Sequence, residues 1–310
     1  MTDTKNITPD TSVEICGVKF KNPVITASGT FGFGKEYAEF YDINLLGGIC
    51  TKGITKERRE GNPSPRVAET PMGMLNSVGL QNPGIEGFIK EDVPFLNTLG
   101  TVVIANVAGK TEEDYCYTVE RASALDCVKM VELNISCPNV KAGGMAFGVL
   151  PESVEKITAA VKKHCSKPLM VKLSPNVANI SDNARAAENG GADCLSLINT
   201  VSGMAIDWKS RKPILANVCG GLSGPAIKPI ALKMVYETRK AVKIPVVGMG
   251  GIVTADDIME FLVAGASAVQ IGSANIFDPT AGLNLINELT NLMKRCSINS
   301  VREITGSLKI

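Results

Sequence analysis

Val131-Glu132-Leu133-Asn134-Ile135-Ser136-Cys137-Pro138-Asn139 is the stretch on which the reading of this chain turns. An apolar run stopped by a proline reads as a short buried strand. It ends on an amide and a thiol. The Gly-rich run Lys141-Ala142-Gly143-Gly144-Met145-Ala146-Phe147-Gly148 follows, so the thiol sits at the base of a segment able to open and close. By itself the stretch also suits a structural thiol, because free cysteine is among the most buried residue types. The same pattern recurs outward in both directions. Further β-rich apolar runs lie at 23–28, 48–52, 102–107, 169–174, 194–200, 245–250 and 268–274. Amphipathic segments at 152–165, 179–189, 226–241 and 255–264 separate several of them, and Gly190-Gly191 and Gly265 follow two of these in the manner of helix C-caps. Repeated strand–helix units require a parallel sheet. Eight of them predict an α/β fold of the (β/α)8 TIM-barrel type. An open dinucleotide-binding sheet is the alternative, but no G-x-G-x-x-G follows the first strand.

Bulk composition narrows the function. The chain has 310 residues, 45% hydrophobic and 20% charged, with a net charge of +1. That content can bury a sizeable core, and the charge supplies no field for nucleic acid or an anionic membrane. No apolar run is long enough to span a bilayer, and the N-terminal ten residues have neither signal- nor transit-peptide character. Nine cysteines occur without a C-x-x-C, which argues against a zinc ribbon or a cluster held by this chain. An odd number of thiols fits a reducing, cytoplasmic setting. The single histidine, His164, precedes the fifth strand and lies away from the catalytic end. We expect one domain over 1–310, with Val13 to Phe20 as a hairpin closing the barrel bottom.

Two connections are too long for simple loops: 53–83 after the second strand and 201–225 after the sixth, which carries Trp208, the only tryptophan. In a barrel both belong to the C-terminal face, where long insertions build or cover the active site. Ser28, Lys52, Asn106, Asn134, Lys172, Asn199 and Thr200 end or follow apolar strands, and so collect on that rim. Buried polar groups need partners, and a lysine at a buried strand end needs an anion. Glycines at 220–224, 248–251 and 272 converge after strands six to eight, where barrels commonly bind phosphate. That anion could therefore be a phosphate. A thiol base with a phosphorylated redox cofactor fits this set, whereas a glycosidase or a zinc hydrolase does not. A sugar-phosphate lyase using a lysine Schiff base is the other class that fits.

The residues also carry a family likeness. Thr26-Ala27-Ser28-Gly29-Thr30-Phe31-Gly32, Asn76-Ser77-Val78-Gly79-Leu80-Gln81-Asn82, Asn134 to Asn139, Ile198-Asn199-Thr200 and Gly248-Met249-Gly250-Gly251-Ile252 resemble the class 1 dihydroorotate dehydrogenases, FMN-containing barrel enzymes of pyrimidine synthesis. The likeness runs nearly end to end. Cys137 in the base position is a class 1 feature, and the run from Cys137 to Gly148 resembles subclass 1B. Such catalytic subunits form homodimers within a heterotetramer. Their electron-transfer subunit carries FAD and a [2Fe–2S] cluster and passes electrons to NAD⁺. A fumarate-dependent class 1A-like enzyme, or a related dihydropyrimidine flavin oxidoreductase, is the alternative.

The resemblance implies a role for each matched position. Cys137 would remove the C5 proton of dihydroorotate, and Lys52 would meet substrate and flavin together. Lys52, Asn76, Asn134, Asn199 and Thr200 would bind the substrate, joined by Ser77, Val78, Gly79 and Leu80 of the second motif. Ser28, Gly53, Asn106, Asn134 and Ile198 would contact the flavin ring, and Lys172 would favour its anionic reduced form. Gly224, Gly250, Gly251, Gly272 and Ser273 would hold the ribityl phosphate. Ser273 stands where threonine is common and supplies an equivalent hydroxyl. The segment after Cys137 would act as a lid, hinged at Gly143, Gly144 and Gly148.

Overall fold

The computed structural model describes residues 8–136 and 147–310. Eight parallel strands close into a barrel and follow one another around it in chain order: Val24–Thr26, Gly48–Cys50, Val102–Val107, Val128–Asn134, Leu169–Lys172, Cys194–Leu197, Val246–Met249 and Ala268–Ile271. They are barrel strands 1 to 8 below. Each falls on a run expected from sequence, and the (β/α)8 architecture is as expected. The ladders include Asn106, Asn134 and Lys172 but stop short of Ser28, Lys52, Asn199 and Thr200. Strand 6 ends at Leu197; beyond it Ile198 N–H bonds Met249 O at 3.0 Å and Asn199 N–H bonds Leu173 O at 3.1 Å. Strand 4 begins earlier than expected, at Val128, where Lys129 alternates outward between two buried neighbours.

Most branched apolar residues of the barrel are wholly buried, among them Ile25, Ile49, Val131, Leu133, Val171 and Val247. Helices Glu112–Ser123, Pro151–Lys162, Ile180–Asn189, Lys228–Ala241, Ala255–Val263 and Ala281–Arg295 follow strands 3 to 8 and cover them from outside. The first crossover differs: it holds only the 3-10 turns Tyr37–Glu39 and Ile43–Leu45. Helix starts are locally encoded. Thr111 caps Asp114 N–H and Asn179 caps Ser181 N–H, while Thr254 and Asp257 form a reciprocal capping box. Strands Val13–Ile15 and Val18–Phe20 pair antiparallel as the expected hairpin. Its Cys16 Sγ lies 3.2 Å from Asp193 O, just before strand 6, which puts the hairpin at the N-terminal end of the barrel.

The two long connections build one element between them. Strands Val201–Met204, Cys219–Ser223, Gly73–Asn76 and Val67–Thr70 form a four-stranded sheet in that order. Its central pairing joins the connections: Gly221 is opposite Asn76 and Ser223 opposite Met74. No helix of the described residues is long and apolar enough to cross a membrane.

Candidate active site

The C-terminal ends of the strands bring most of the expected polar residues into one region. Asn106, buried in strand 3, donates its Nδ2 to Glu132 Oε1 at 2.6 Å, and its Oδ1 is buried without a partner. Gly53 backs onto that oxygen: a Cβ there would lie 2.8 Å from Asn106 Oδ1 and 3.4 Å from Leu80 Cδ2. A side chain at Gly53 would therefore fill the space in front of the amide. Asn134 ends strand 4. Its Oδ1 accepts from Ser136 Oγ at 2.8 Å, and Ser136 Oγ in turn accepts from Asn199 Nδ2. Its backbone oxygen accepts from Tyr115 Oη at 2.8 Å. Asn199 Oδ1 accepts from Thr200 N–H at 2.8 Å. Asn134, Asn199 and Thr200 are thus tied into one chain of hydrogen bonds across strands 4 and 6.

The inserted sheet reaches the same region. Asn76 Nδ2 donates to Gly221 O at 3.4 Å, and the Ser77 hydroxyl is buried without a partner. Val78 O accepts from Asn62 N–H at 3.0 Å, while Gly79 and Leu80 both have positive φ. Lys52 N–H bonds Gly32 O at 2.9 Å, and its Nζ lies 3.6 Å from where a Gly29 Cβ would stand. Ser28 follows strand 1 and is partly exposed. Ile198 N–H donates to Met249 O at 3.0 Å.

The glycine-rich segments also converge. Gly224, Gly250 and Gly251 all have positive φ. At Gly251 a Cβ would lie 2.9 Å from Gly224 O and 3.0 Å from Lys228 N. Only glycine lets the loops after strands 6 and 7 approach so closely. Gly272 is open on its side-chain face, with 3.8 Å to Ala27 Cβ, and Ser273 is buried beside it. Cys137, Asn139, Gly143 and Gly144 lie outside the described residues. Gly148 is described, and it packs against Ile135 O.

The electrostatic centre is a residue to which the sequence reading gave no role. Glu132 is fully buried inside the barrel. Besides Asn106, its carboxylate accepts from Ser196 Oγ at 2.8 Å, Gln270 Nε2 at 2.7 Å and Cys50 Sγ at 3.3 Å. Lys172 Nζ stands 3.8 Å away. Burial pushes the Glu132 carboxyl upward, but Lys172 and the bonds from Gln270, Ser196 and Cys50 outweigh it and hold it below the usual glutamate range. Cys50 goes the other way: burial, then the Glu132 charge, push its thiol well up. The anion demanded by buried Lys172 is therefore first of all this carboxylate on the neighbouring strand, a correction to the reading that looked to phosphate.

Comparison with known proteins gives this geometry its family. The family model "Dihydroorotate dehydrogenase" matches residues 11–293. The chain belongs to the dihydroorotate dehydrogenase family. Three relatives bear the name dihydroorotate dehydrogenase B (NAD(+)), catalytic subunit. The protein of Alkaliphilus metalliredigens is 57% identical over 96% of this chain and 98% of its own length. That of Thermoanaerobacter pseudethanolicus is 55% identical with the same two coverages, and that of Listeria innocua 53%. A dihydroorotate dehydrogenase structure from Eimeria tenella, solved in complex with ferulenol, superposes with a TM-score of 0.81 at 22% identity, over 99% of this chain and 90% of that one. It supports the barrel fold.

The dihydroorotate dehydrogenase family implies FMN on this chain, and the described residues fit that group. Two buried oxygens have no partner among the described residues, Asn106 Oδ1, an acceptor, and Ser77 Oγ, which can donate or accept. Lys172 offers a cation, Gly53 leaves a face open, and the Gly224–Gly251 approach builds a backbone-lined corner of the kind that suits phosphate. Sequence reasoning missed Glu132, Ser196 and Gln270, which meet only across the barrel. It also missed Asn176, whose side chain bonds Thr200 O and Ser202 N–H. The signal available was a lone carboxylate in the middle of an apolar strand.

Proposed function

We propose that this chain is the catalytic subunit of an NAD⁺-type dihydroorotate dehydrogenase, oxidising (S)-dihydroorotate to orotate in pyrimidine synthesis. The observation that carries the reading is 51–57% identity, over about the whole chain, to relatives bearing that name. FMN, when bound, supplies the acceptor for the hydride that leaves substrate C6. The chain's own residues do the rest. Cys137, three residues beyond Asn134, takes the C5 proton, so the C5=C6 bond forms as both hydrogens leave. Asn76, Asn134, Asn199 and Thr200 hold the pyrimidine ring and its carboxylate, with Ser77 to Leu80 forming the wall beside them. The hydrogen-bond chain through Ser136 supports this, because it orients both asparagines before substrate arrives. Lys52 stands between substrate and cofactor. Asn106 meets the flavin ring with its free oxygen, alongside Ser28, Gly53 and the Ile198 carbonyl. Lys172 would set a cation beside the flavin ring and so favour its reduction. Gly224, Gly250, Gly251, Gly272 and Ser273 hold the phosphate.

The electrons leave through a second subunit, to which we assign FAD and a [2Fe–2S] cluster. The relatives' designation "catalytic subunit" supports a partner, and no C-x-x-C occurs among the nine cysteines. A homodimer of this chain inside a heterotetramer is the assembly we propose. A cytoplasmic setting fits the free thiols of the described cysteines.

The test is anaerobic mixing of the purified FMN-loaded chain with dihydroorotate. Bleaching of the flavin band with formation of orotate is expected. A flavin that stays oxidised overturns the substrate, and fumarate-dependent turnover by the chain alone overturns the partner.

A further inference from the structure

Glu132 has no role in the proposed chemistry, yet side chains from five other barrel strands converge on it. Cys50, Asn106, Lys172, Ser196 and Gln270 come from strands 2, 3, 5, 6 and 8, at 3.3, 2.6, 3.8, 2.8 and 2.7 Å. Every one presents a donor or a cation. An ionised carboxylate accepts from all of them, whereas a protonated carboxyl would turn its own O–H into that set. Lys172 is equally enclosed, its side chain 5% exposed, and Glu132 is its ion-pair partner among the described residues. A buried charge is costly unless paired. The titratable groups that feel the carboxylate are Cys50 and Lys172 beside it and Cys194, buried two residues before Ser196 on strand 6. Lys52 belongs to the next strand end, with its Nζ beside Gly29.

We infer that Glu132 is a positioning residue whose carboxylate keeps Lys172 an ammonium beneath the barrel mouth, so that a full positive charge is already present when the flavin is reduced. This rests on the reading that Lys172 faces the flavin. Without the carboxylate, Lys172 would lie buried and unpaired beside a neutral oxidised ring. It would then take its proton only when the ring turns anionic.

The experiment is the reduction potential of the FMN-loaded chain across neutral to mildly alkaline pH, in the native protein, Glu132→Gln, Glu132→Asp and Lys172→Met. The native chain is expected to take up one proton per two electrons. In Glu132→Gln, uptake is expected to approach two, so the slope of potential against pH roughly doubles. Glu132→Asp keeps a carboxylate but draws it back from Lys172, so its slope should lie between the native value and that of Glu132→Gln. Glutamine fits the site, because Gln270 Oε1 has no partner and can turn to accept from the new amide. A one-proton slope in Glu132→Gln overturns the inference. If Glu132→Gln fails to hold FMN, Glu132→Asp decides: its drawn-back carboxylate should give a slope between one and two protons, and a native slope overturns the inference. Lys172→Met separates the two claims. It should lower the potential at every pH while keeping the one-proton slope. If it instead leaves the potential unchanged, the placement of Lys172 against the flavin is wrong, whatever Glu132 does.

Discussion

Cys137 is the one residue whose removal should stop the proposed chemistry while leaving the cofactor in place. Cys137→Ala is expected to lower turnover by roughly 10²–10⁴-fold, the usual worth of a general base, with FMN still bound by absorbance. Near-native turnover would dismiss the thiol as base. A thiol of ordinary acidity, about 8.5, also predicts that kcat/KM rises from neutral toward alkaline pH. Glu132 has an opposite and separate signature in stability. Its folded-state acidity is strengthened, so its contribution to stability is present above the unfolded glutamate value of about 4.3 and lost as pH falls through the lower folded value. The stability gap between native protein and Glu132→Gln should therefore be full near neutrality and shrink in acid, as read by urea unfolding at a series of pH values. An equal gap at every pH would deny the carboxylate its charge in the folded chain. Glu132 also shows where residue-level reading ends. Its neighbours Leu133 and Asn134 made the strand and the amide legible, but its partners are 26 to 138 positions away.

Among the elements, helix Ala255–Val263 has the most explicit start. Thr254 Oγ1 accepts from Asp257 N–H at 3.2 Å, and Asp257 Oδ2 accepts from Thr254 N–H at 2.8 Å and Val253 N–H at 2.9 Å. Lys228 Nζ reaches Asp257 Oδ1 at 2.5 Å and so ties this helix to the preceding one. Thr254→Ala should cost about 1 kcal/mol in chemical denaturation, the typical value of a lost cap. The loop just before this helix carries the glycine corner to which we assign the phosphate. Gly251→Ala puts a Cβ against Gly224 O at a positive φ, so the two loops must separate. We expect a folded barrel with FMN affinity reduced at least tenfold, measured by titrating the deflavinated chain. Native affinity would move the phosphate elsewhere. The eight strands and four of the helices were legible because their signals are local: apolar runs, amphipathic segments and Gly punctuation, whereas helices Glu112–Ser123 and Ala281–Arg295 were not read. The first crossover was not, since its 3-10 turns carry no periodic pattern.

At the scale of the whole molecule, the prediction concerns where electrons go. The chain alone should reduce its flavin with dihydroorotate once and then stall with NAD⁺, and multiple turnovers should appear only when an electron-transfer subunit is added. Steady NAD⁺ reduction by the isolated chain, followed at the nicotinamide absorbance, would refute that division of labour. The four-stranded sheet built by the two long connections is the other molecular-scale feature. From sequence each connection reads as an insertion at the same barrel end. Their pairing, Gly221 with Asn76, appears only when the barrel has closed.

By itself the sequence determined the barrel, the order of its strands, the rim of amides and lysines, and the family. These follow from short-range patterns, because each strand–helix unit must bury one apolar face and closing eight of them leaves one polar end. Only the tertiary structure decided that Lys172 answers to Glu132, that Asn106 keeps an oxygen free, and that two distant connections share a sheet. Those contacts depend on which side chains point inward at the same height of a closed barrel, and barrel closure sets that height by register between strands that are remote in the chain.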